Sequence, residues 1–289
     1  MKLMRVGAHG AERPAALIDR PDGTAEIVDL SSVIDDVTPD VLAPDSLARI
    51  ASAIAAGGLP VLSPDDRIGP PLARIGKIVC VGLNYREHAA EAGLPIPDEP
   101  ILFMKAPDTV VGPNDDVRVP RASVKTDYEV ELAVVIGRTA RYLNPEDNPL
   151  DYVAGYAVSN DVSEREFQME RGGQWDKGKN CETFNPIGPL LVTADEVGDP
   201  QALTLGSRVN GEARQNSTTA DMIFPVAELV RYISQFMTLY PGDVINTGTP
   251  QGVGAGFTPP KFVHAGDVVE VFIEKLGAQR QVFVDGAPS

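Results

Sequence analysis

The apolar run at residues 128–136 constrains this chain more than any other segment. Its sequence is Tyr-Glu-Val-Glu-Leu-Ala-Val-Val-Ile. If the run is a strand, Glu129 and Glu131 lie on the same face, because side chains at i and i+2 point the same way. Two adjacent carboxylates in apolar surroundings repel each other and lose hydration, and a divalent cation with oxygen ligands would offset both costs. The alternative is a solvated strand face, with the glutamates pointing outward.

A third carboxylate follows the next predicted strand. Residues 152–158 have the composition of a strand, and Asp161 comes shortly after it. The spacing at 163–166 fits a capping box and predicts a helix that begins near Glu164. Asp161 would then lie at a strand end, where functional side chains are common, and could complete a metal site with the glutamate pair. A simple turn-capping role is the alternative for Asp161.

Five further polar residues are candidate functional groups, and two of them, Arg165 and Gln168, could reach the pocket of the acidic residues. Arg165 and Gln168 are three apart and would share a helix face, although solvated positions on a helix are commoner. His88 and Glu91 have the same spacing, so the carboxylate could orient the imidazole as in a general base, but a surface pair is the simpler interpretation. Lys179 lies in a polar stretch that predicts a loop, where a lysine usually serves solubility.

Composition limits the classes of partner. The chain has 289 residues, 43% of them hydrophobic, and a net charge of −16, which argues against nucleic acid and anionic membranes as partners. No stretch approaches the ~20 apolar residues of a membrane span, and the first residues have no signal-peptide pattern. Cys80 and Cys181 match no metal-binding spacing. We therefore expect a cytoplasmic protein in a reducing compartment.

The many glycines and prolines favour short strands over a helical bundle. A Pro/Gly-rich connector at 59–76 suggests a small N-terminal domain over 1–74 and a main domain over 75–289. The N-terminal domain is predicted to contain strands 2–7 and 25–30, a turn at Pro21-Asp22-Gly23 and a helix at 45–56. The main domain is predicted to contain strands 77–82, 101–105, 109–111, 117–119, 127–136, 152–158, 203–209, 212–217, 244–247, 268–274 and 279–284, a helix from an Asn84 cap to Gly93, and a helix at 225–236.

Over roughly residues 75–277 the chain resembles the fumarylacetoacetate hydrolase family. The segments that carry the resemblance are Val81-Gly82-Leu83-Asn84-Tyr85 with His88 and Glu91, then 100–105, 127–132, 155–163, Arg165 with Gln168, Lys179, and 247–254. The resemblance implies a mainly β fold with peripheral helices, a mixed β-sandwich or roll of the fumarylacetoacetate hydrolase type, beside a small N-terminal α+β domain. It also implies a homodimer.

The resemblance implies roles for nine residues. Those implied as ligands of one Mg²⁺ or Mn²⁺ per subunit are Glu129, Glu131 and Asp161. Those implied as catalytic are His88 and Glu91, on a lid helix, and Lys179. Those implied to contact a small anionic 2-oxo acid substrate are Arg165, Gln168 and Thr249. The stretch 174–189 looks most like the branch that hydrolyses 2,4-diketo-3-deoxy sugar acids, but Asn180 and Asn185 leave the substrate open.

These roles favour a metal-dependent hydrolase that cleaves a C–C bond in a 2,4-dioxo acid, either an acylpyruvate or a diketo-deoxy sugar acid, and releases pyruvate. In this hypothesis His88, oriented by Glu91, deprotonates the attacking water, and Lys179 neutralises developing negative charge. One alternative is an oxaloacetate decarboxylase or an oxo-diacid tautomerase or isomerase. Another is a metal-binding protein of the same fold without turnover, although a purely structural metal site would not need His88 and Glu91.

Overall fold

The computed structural model describes residues 1–20 and 22–286. Its strands, in chain order, are β1 (Lys2–Val6), β2 (Arg13–Asp19), β3 (Ala25–Asp29), β4 (Ile78–Gly82), β5 (Ile101–Lys105), β6 (Val110–Val111), β7 (Val117–Val119), β8 (Thr126–Asp127), β9 (Val130–Ile136), β10 (Val153–Asn160), β11 (Ser163–Glu164), β12 (Asn185–Pro186), β13 (Leu191–Thr193), β14 (Thr204–Val209), β15 (Glu212–Thr218), β16 (Val244–Asn246), β17 (Val268–Ile273) and β18 (Gly277–Asp285). Its α-helices are α1 (Pro44–Ala56), α2 (Arg86–Glu91), α3 (Asp176–Lys179), α4 (Ala194–Val197) and α5 (Val226–Ser234), and a π-helical turn spans Glu166–Glu170.

The larger sheet has nine strands in the order β3-β2-β1-β13-β10-β9-β16-β4-β5. Its neighbouring strands are antiparallel except for β16 and β4, which run parallel. The N-terminal strands extend this sheet, because β1 pairs with β13 through Leu3 and Leu191. The division of the chain at residue 74 stays a prediction.

A second sheet of five strands, in the order β15-β14-β17-β18-β7, packs against β9 and β10. The alternation along β9 explains how one strand supplies two cores. Leu132 and Val134 belong to the core shared with the second sheet, and Ala133 and Val135 belong to a separate core that includes Ile50 of α1. The mainly β sandwich with peripheral helices that the resemblance implied is confirmed.

The structure corrects the predicted N-terminal elements. Strand β2 was not predicted, and it lies between β1 and β3 in the sheet. The turn predicted at 21–23 therefore joins β2 to β3, with Arg20 N donating to Thr24 O at 2.8 Å, and Pro21 of that turn lies outside the described residues. Pro14 and two alanines weaken the strand pattern of β2, since these residues are uncommon in strands.

The capping box predicted at 163–166 is also wrong. Ser163 and Glu164 form the short strand β11, which pairs with β8, and the helical turn begins only at Glu166. The Ser163 hydroxyl donates to the Asp161 carbonyl at 3.0 Å instead of accepting from a helix amide. Cross-strand pairing has replaced the local capping interaction.

Other local predictions are confirmed. The Asn210-Gly211 turn joins β14 to β15, and both residues have the positive φ that this turn requires, 51° and 81°. Helix α5 lies within the predicted range and buries Leu229 and Ile233. No helix among the described residues is long and apolar enough to cross a membrane.

Candidate active site

Three buried carboxylates meet where β9 and β10 pair. Glu131 lies opposite Ser159 in the ladder, Glu129 immediately precedes β9, and Asp161 immediately follows β10. The Asp161 amide continues the ladder by donating to the Glu129 carbonyl at 2.9 Å. One oxygen of each carboxylate lies within 4.8 Å of the other two. The predicted convergence of this acidic triad, Glu129, Glu131 and Asp161, is therefore present in the structure.

The electrostatics of the acidic triad favour a cation. Burial raises the pKa of Glu131 well above its usual range, and repulsion from Asp161 and Glu129 raises it further. Burial acts in the same direction on Glu129, but Lys179 and Arg165 together lower its pKa to about 2. Among the described ion pairs Glu131 has no cationic partner. Within the described part of the chain it accepts one hydrogen bond, from the Gly248 amide at 2.8 Å. Three convergent carboxylates with one uncompensated charge fit a hard divalent ion such as Mg²⁺ or Mn²⁺.

Two buried lysines contact the triad. Lys179 Nζ lies 2.6 Å from Glu129 Oε2 and 2.7 Å from Asp161 Oδ2. The sequence predicted a loop for this lysine, but it ends the short helix α3 and is only 1% exposed. Lys105, at the end of β5, forms an ion pair with the other oxygen of Asp161 and donates to the Val162 carbonyl at 3.0 Å. Sequence reasoning did not single out Lys105, although a lysine that closes an apolar strand was a usable signal.

Arg165 links the triad to a second buried acid. Its guanidinium lies 2.6 Å from Glu129 and 2.8 Å from Asp127, and it donates to the Gln168 side chain at 3.0 Å. Arg165 and Gln168 were predicted to share a helix face, and they do lie side by side, although the turn that carries Gln168 is π-helical. Asp127 was not predicted. It also accepts hydrogen bonds from the amides of Gly254 and Ala255, at 2.6 and 3.0 Å.

His88 and Glu91 form the predicted pair on α2, with 3.0 Å between Nδ1 and the carboxylate. The other oxygen of Glu91 accepts from the Gly252 amide at 2.8 Å, which ties α2 to the glycine-rich loop 248–256. A Cβ at Gly256 would lie 2.3 Å from the Glu91 carboxyl carbon, so a larger residue at position 256 would force the Glu91 side chain to move. The anions that the amides of this loop bind are carboxylates of the protein itself.

Asn84 does not cap α2 as predicted. Its side chain is fully buried, donates to the carbonyls of Phe224 and Thr247 at 3.1 and 2.7 Å, and accepts from the Phe224 amide at 2.8 Å. Tyr85 occupies the cap position without a side-chain hydrogen bond. Asn84 instead holds the start of α2 against two distant segments.

A cavity of about 580 Å³ brings most of these groups together. The predicted site residues that line it are His88, Glu91, Glu129, Glu131, Arg165, Gln168, Lys179 and Thr249. Asp161 is fully buried behind Lys179 and is not among the lining residues. The Thr249 hydroxyl donates to the Val130 carbonyl at 2.9 Å and accepts from the Gln215 side chain at 2.8 Å. Its one hydrogen is therefore already engaged in a hydrogen bond within the protein. The structure places the residues together, and their individual roles stay predictions.

Comparisons with known proteins agree with this architecture. A Burkholderia ambifaria protein, named only provisionally as a hydrolase, is 53% identical over 282 residues, covering 97% of this chain and 98% of that protein. Among solved structures, maleylpyruvate hydrolase from Sphingobium sp. SYK-6 is 29% identical with a TM-score of 0.81, and covers 99% of this chain and all of that one. The 5-carboxymethyl-2-hydroxymuconate delta-isomerase of Mycobacterium smegmatis is 32% identical with a TM-score of 0.77, and covers both chains fully.

The sequence profile of the fumarylacetoacetate (FAA) hydrolase C-terminal family matches residues 77–284. This range contains the acidic triad, the His88–Glu91 pair and the glycine-rich loop. The chain belongs to the fumarylacetoacetate hydrolase family.

Proposed function

We propose that the protein is a metal-dependent hydrolase that cleaves a C–C bond in a 2,4-dioxo acid and releases pyruvate. One observation carries the proposal, namely that two glutamates of the acidic triad and the His88–Glu91 pair line the same cavity. A metal site alone would need no imidazole, and a general base alone would need no buried triad. Together they supply the two functions that this hydrolysis requires.

The triad would hold Mg²⁺ or Mn²⁺, which supplies positive charge to bind the 2-oxo acid group and stabilise negative charge on its oxygen. Arg165 is held by Asp127 and Glu129 and lines the cavity, where its cation attracts a carboxylate that the net charge of −16 would otherwise repel. Lys179 Nζ, already fixed between Glu129 and Asp161, places a second positive charge beside the same group.

His88 would act on water. Glu91 bonds Nδ1, which fixes the tautomer and leaves Nε2 as the proton acceptor. In the proposed reaction His88 takes a proton from water while the hydroxide oxygen bonds to C4 of the substrate. The C3–C4 bond then breaks, its electron pair passes to the pyruvate fragment, and that fragment takes up a proton at C3. The products are pyruvate and a carboxylic acid, so all the atoms of water and substrate are accounted for.

Product analysis tests this proposal. Purified protein loaded with Mg²⁺ or Mn²⁺ is incubated with acetylpyruvate and, separately, with oxaloacetate. We expect pyruvate and acetate in equal amounts from acetylpyruvate, and much slower CO₂ release from oxaloacetate. If only oxaloacetate is consumed, the decarboxylase alternative is correct and the role of His88 in activating water is wrong.

A second candidate is isomerisation of an oxo-diacid, favoured by the similarity to the mycobacterial delta-isomerase. Isomerisation moves a proton between two carbons, so it also uses a base such as His88 but consumes no water. Proton exchange at C3 of the substrate in D₂O, without any C–C cleavage, would favour the isomerase.

The partners remain proposals as well. We propose a small anionic 2-oxo acid as the ligand and a homodimer as the assembly. Light scattering at micromolar concentration tests the second point, and a mass matching one 30.8 kDa chain would count against the dimer.

A further inference from the structure

Away from the acidic triad, the wall of the cavity is mostly apolar. Several large side chains line it in addition to the groups already assigned. They are Leu94, Phe103, Met169, Trp175, Phe257 and Phe262. This part of the cavity must receive whatever the substrate carries beyond its dioxo acid head. The side chains of this wall therefore indicate which kind of acyl group the cavity can accept.

The apolar wall begins directly beside the acidic triad. The ring of Phe103 lies 5.0 Å from Lys179 Nζ, and Trp175 packs edge-on against Phe103 with 5.6 Å between ring centroids. Trp175 also packs over Gly82, where a Cβ would lie 2.3 Å from its ring. A larger residue at position 82 would displace the indole, so the position of Trp175 in the apolar wall depends on this glycine.

Charged groups on the rest of the lining neutralise each other. Outside the groups assigned above, the described lining has only three polar side chains, Lys125, Glu170 and Thr258. Lys125 and Glu170 form an ion pair with each other, and both are partly exposed, with side-chain accessibilities of 33% and 55%. Away from the acidic triad, the described lining thus offers a second carboxylate of the substrate only one cation, Lys125, which is partly exposed and already paired with Glu170.

Resting on the proposed function, we infer that the substrate is a mono-acidic acylpyruvate with an uncharged apolar acyl group, alkyl or aryl. Such a group exchanges water for contact with Phe103, Trp175 and Phe257, which is favourable. A terminal carboxylate would lose hydration against the same side chains, and the one cation within that part of the described lining is the partly exposed Lys125, already paired with Glu170. The hydroxyls of a sugar acid would likewise lose hydrogen bonds to water and find few partners.

Three matched acylpyruvates test the inference on the metal-loaded protein. Acetylpyruvate is the smallest, valerylpyruvate adds three methylene groups, and a third compound replaces the terminal methyl of valerylpyruvate by a carboxylate. Each buried methylene is worth about fourfold in binding, so kcat/KM for valerylpyruvate should exceed that for acetylpyruvate by at least ~10-fold. The carboxylated compound should be at least ~10-fold poorer than valerylpyruvate.

The outcomes separate the inference from the function on which it rests. If acetylpyruvate is hydrolysed but the carboxylated compound is as good as valerylpyruvate or better, the apolar acyl group is wrong and the proposed function stands. If a hydroxylated analogue of valerylpyruvate is preferred, the inference fails in the same way. If none of the compounds yields pyruvate, the proposed function fails and the inference falls with it.

A substitution at the cavity provides a second, independent test. Met169 lines the cavity and is 57% exposed, so Met169→Lys should fold and place an unpaired cation beside the acyl group. It should raise the kcat/KM of the carboxylated compound relative to valerylpyruvate by about 3- to 5-fold. Phe236→Lys, at a residue 63% exposed and outside the cavity lining, adds the same charge and should leave the ratio unchanged. Equal ratios in both variants would overturn the placement of the acyl group.

Discussion

The His88–Glu91 pair gives the sharpest prediction. His88→Ala removes the proposed base but none of the triad, so metal binding should persist while turnover falls by ~10²–10⁴, the range for loss of a positioned base. That range corresponds to about 3–5 kcal/mol in the activation free energy. The assay is pyruvate release from acetylpyruvate, followed with a coupled dehydrogenase. His264→Ala, at an exposed histidine outside the cavity lining, is the matched control and should retain full turnover.

Glu91 acts through His88, so its removal should cost less. Its carboxylate accepts two hydrogen bonds, one from His88 Nδ1 at 3.0 Å and one from the Gly252 amide at 2.8 Å. A hydrogen bond to a charged group contributes about 1.5–3 kcal/mol, so Glu91→Ala should lower turnover by about 10- to 100-fold. Gly256→Ala should have a similar effect, because the new Cβ would force Glu91 to move.

The double variant tests whether the two residues act as a unit. Combining His88→Ala with Glu91→Ala should cost little more than His88→Ala alone, since an absent imidazole cannot be misoriented. Wild-type turnover in His88→Ala would refute the assignment of the base. Fully additive losses would instead show that Glu91 acts independently of His88.

Three further predictions concern the buried polar groups. Mg²⁺ should raise the melting temperature, and Glu131→Gln should abolish that rise without destabilising the metal-free protein. An unchanged Mg²⁺ effect in a thermal scan of the variant would count against metal binding by the triad. Lys105→Met leaves one oxygen of Asp161 buried and unpaired, and should lower the free energy of unfolding in urea by about 3–5 kcal/mol. Asn84→Ala removes three buried hydrogen bonds and should lower the free energy of unfolding by about 2–4 kcal/mol. The control Asn216→Ala, at an exposed residue, should lower it by less than about 0.5 kcal/mol. Similar losses in both variants would show that Asn84 does not link α2 to the two distant segments.

The features that the sequence predicted well are those with a local physical cause. Glu129 and Glu131 share a face because the period of a strand is two residues, whatever the rest of the fold does. The Asn210-Gly211 turn follows from the positive φ that both residues tolerate. The roles of Lys179 and Thr249 came from the family resemblance alone, and the structure adds that every predicted site residue except Asp161 lines one cavity.

The features that were missed depend on partners far away in the chain. Lys105 is buried because Asp161, 56 residues later, lies beside it, and Asp127 accepts from an amide 127 residues away. Lys179 looks like a loop residue because its neighbours in sequence are polar, yet α3 carries it to Glu129. Nor does any local pattern place β16 between β9 and β4, since strand order is decided by the packing of the whole sheet.

Metal dependence of C–C cleavage is the most direct test of the central claim. Protein stripped with EDTA and freed of the chelator is assayed for pyruvate release from acetylpyruvate, then titrated with Mg²⁺ or Mn²⁺. We predict that activity is lost on stripping and returns with one ion per chain, because the acidic triad converges on a single point. Full activity in protein shown by elemental analysis to be free of metal would contradict the account.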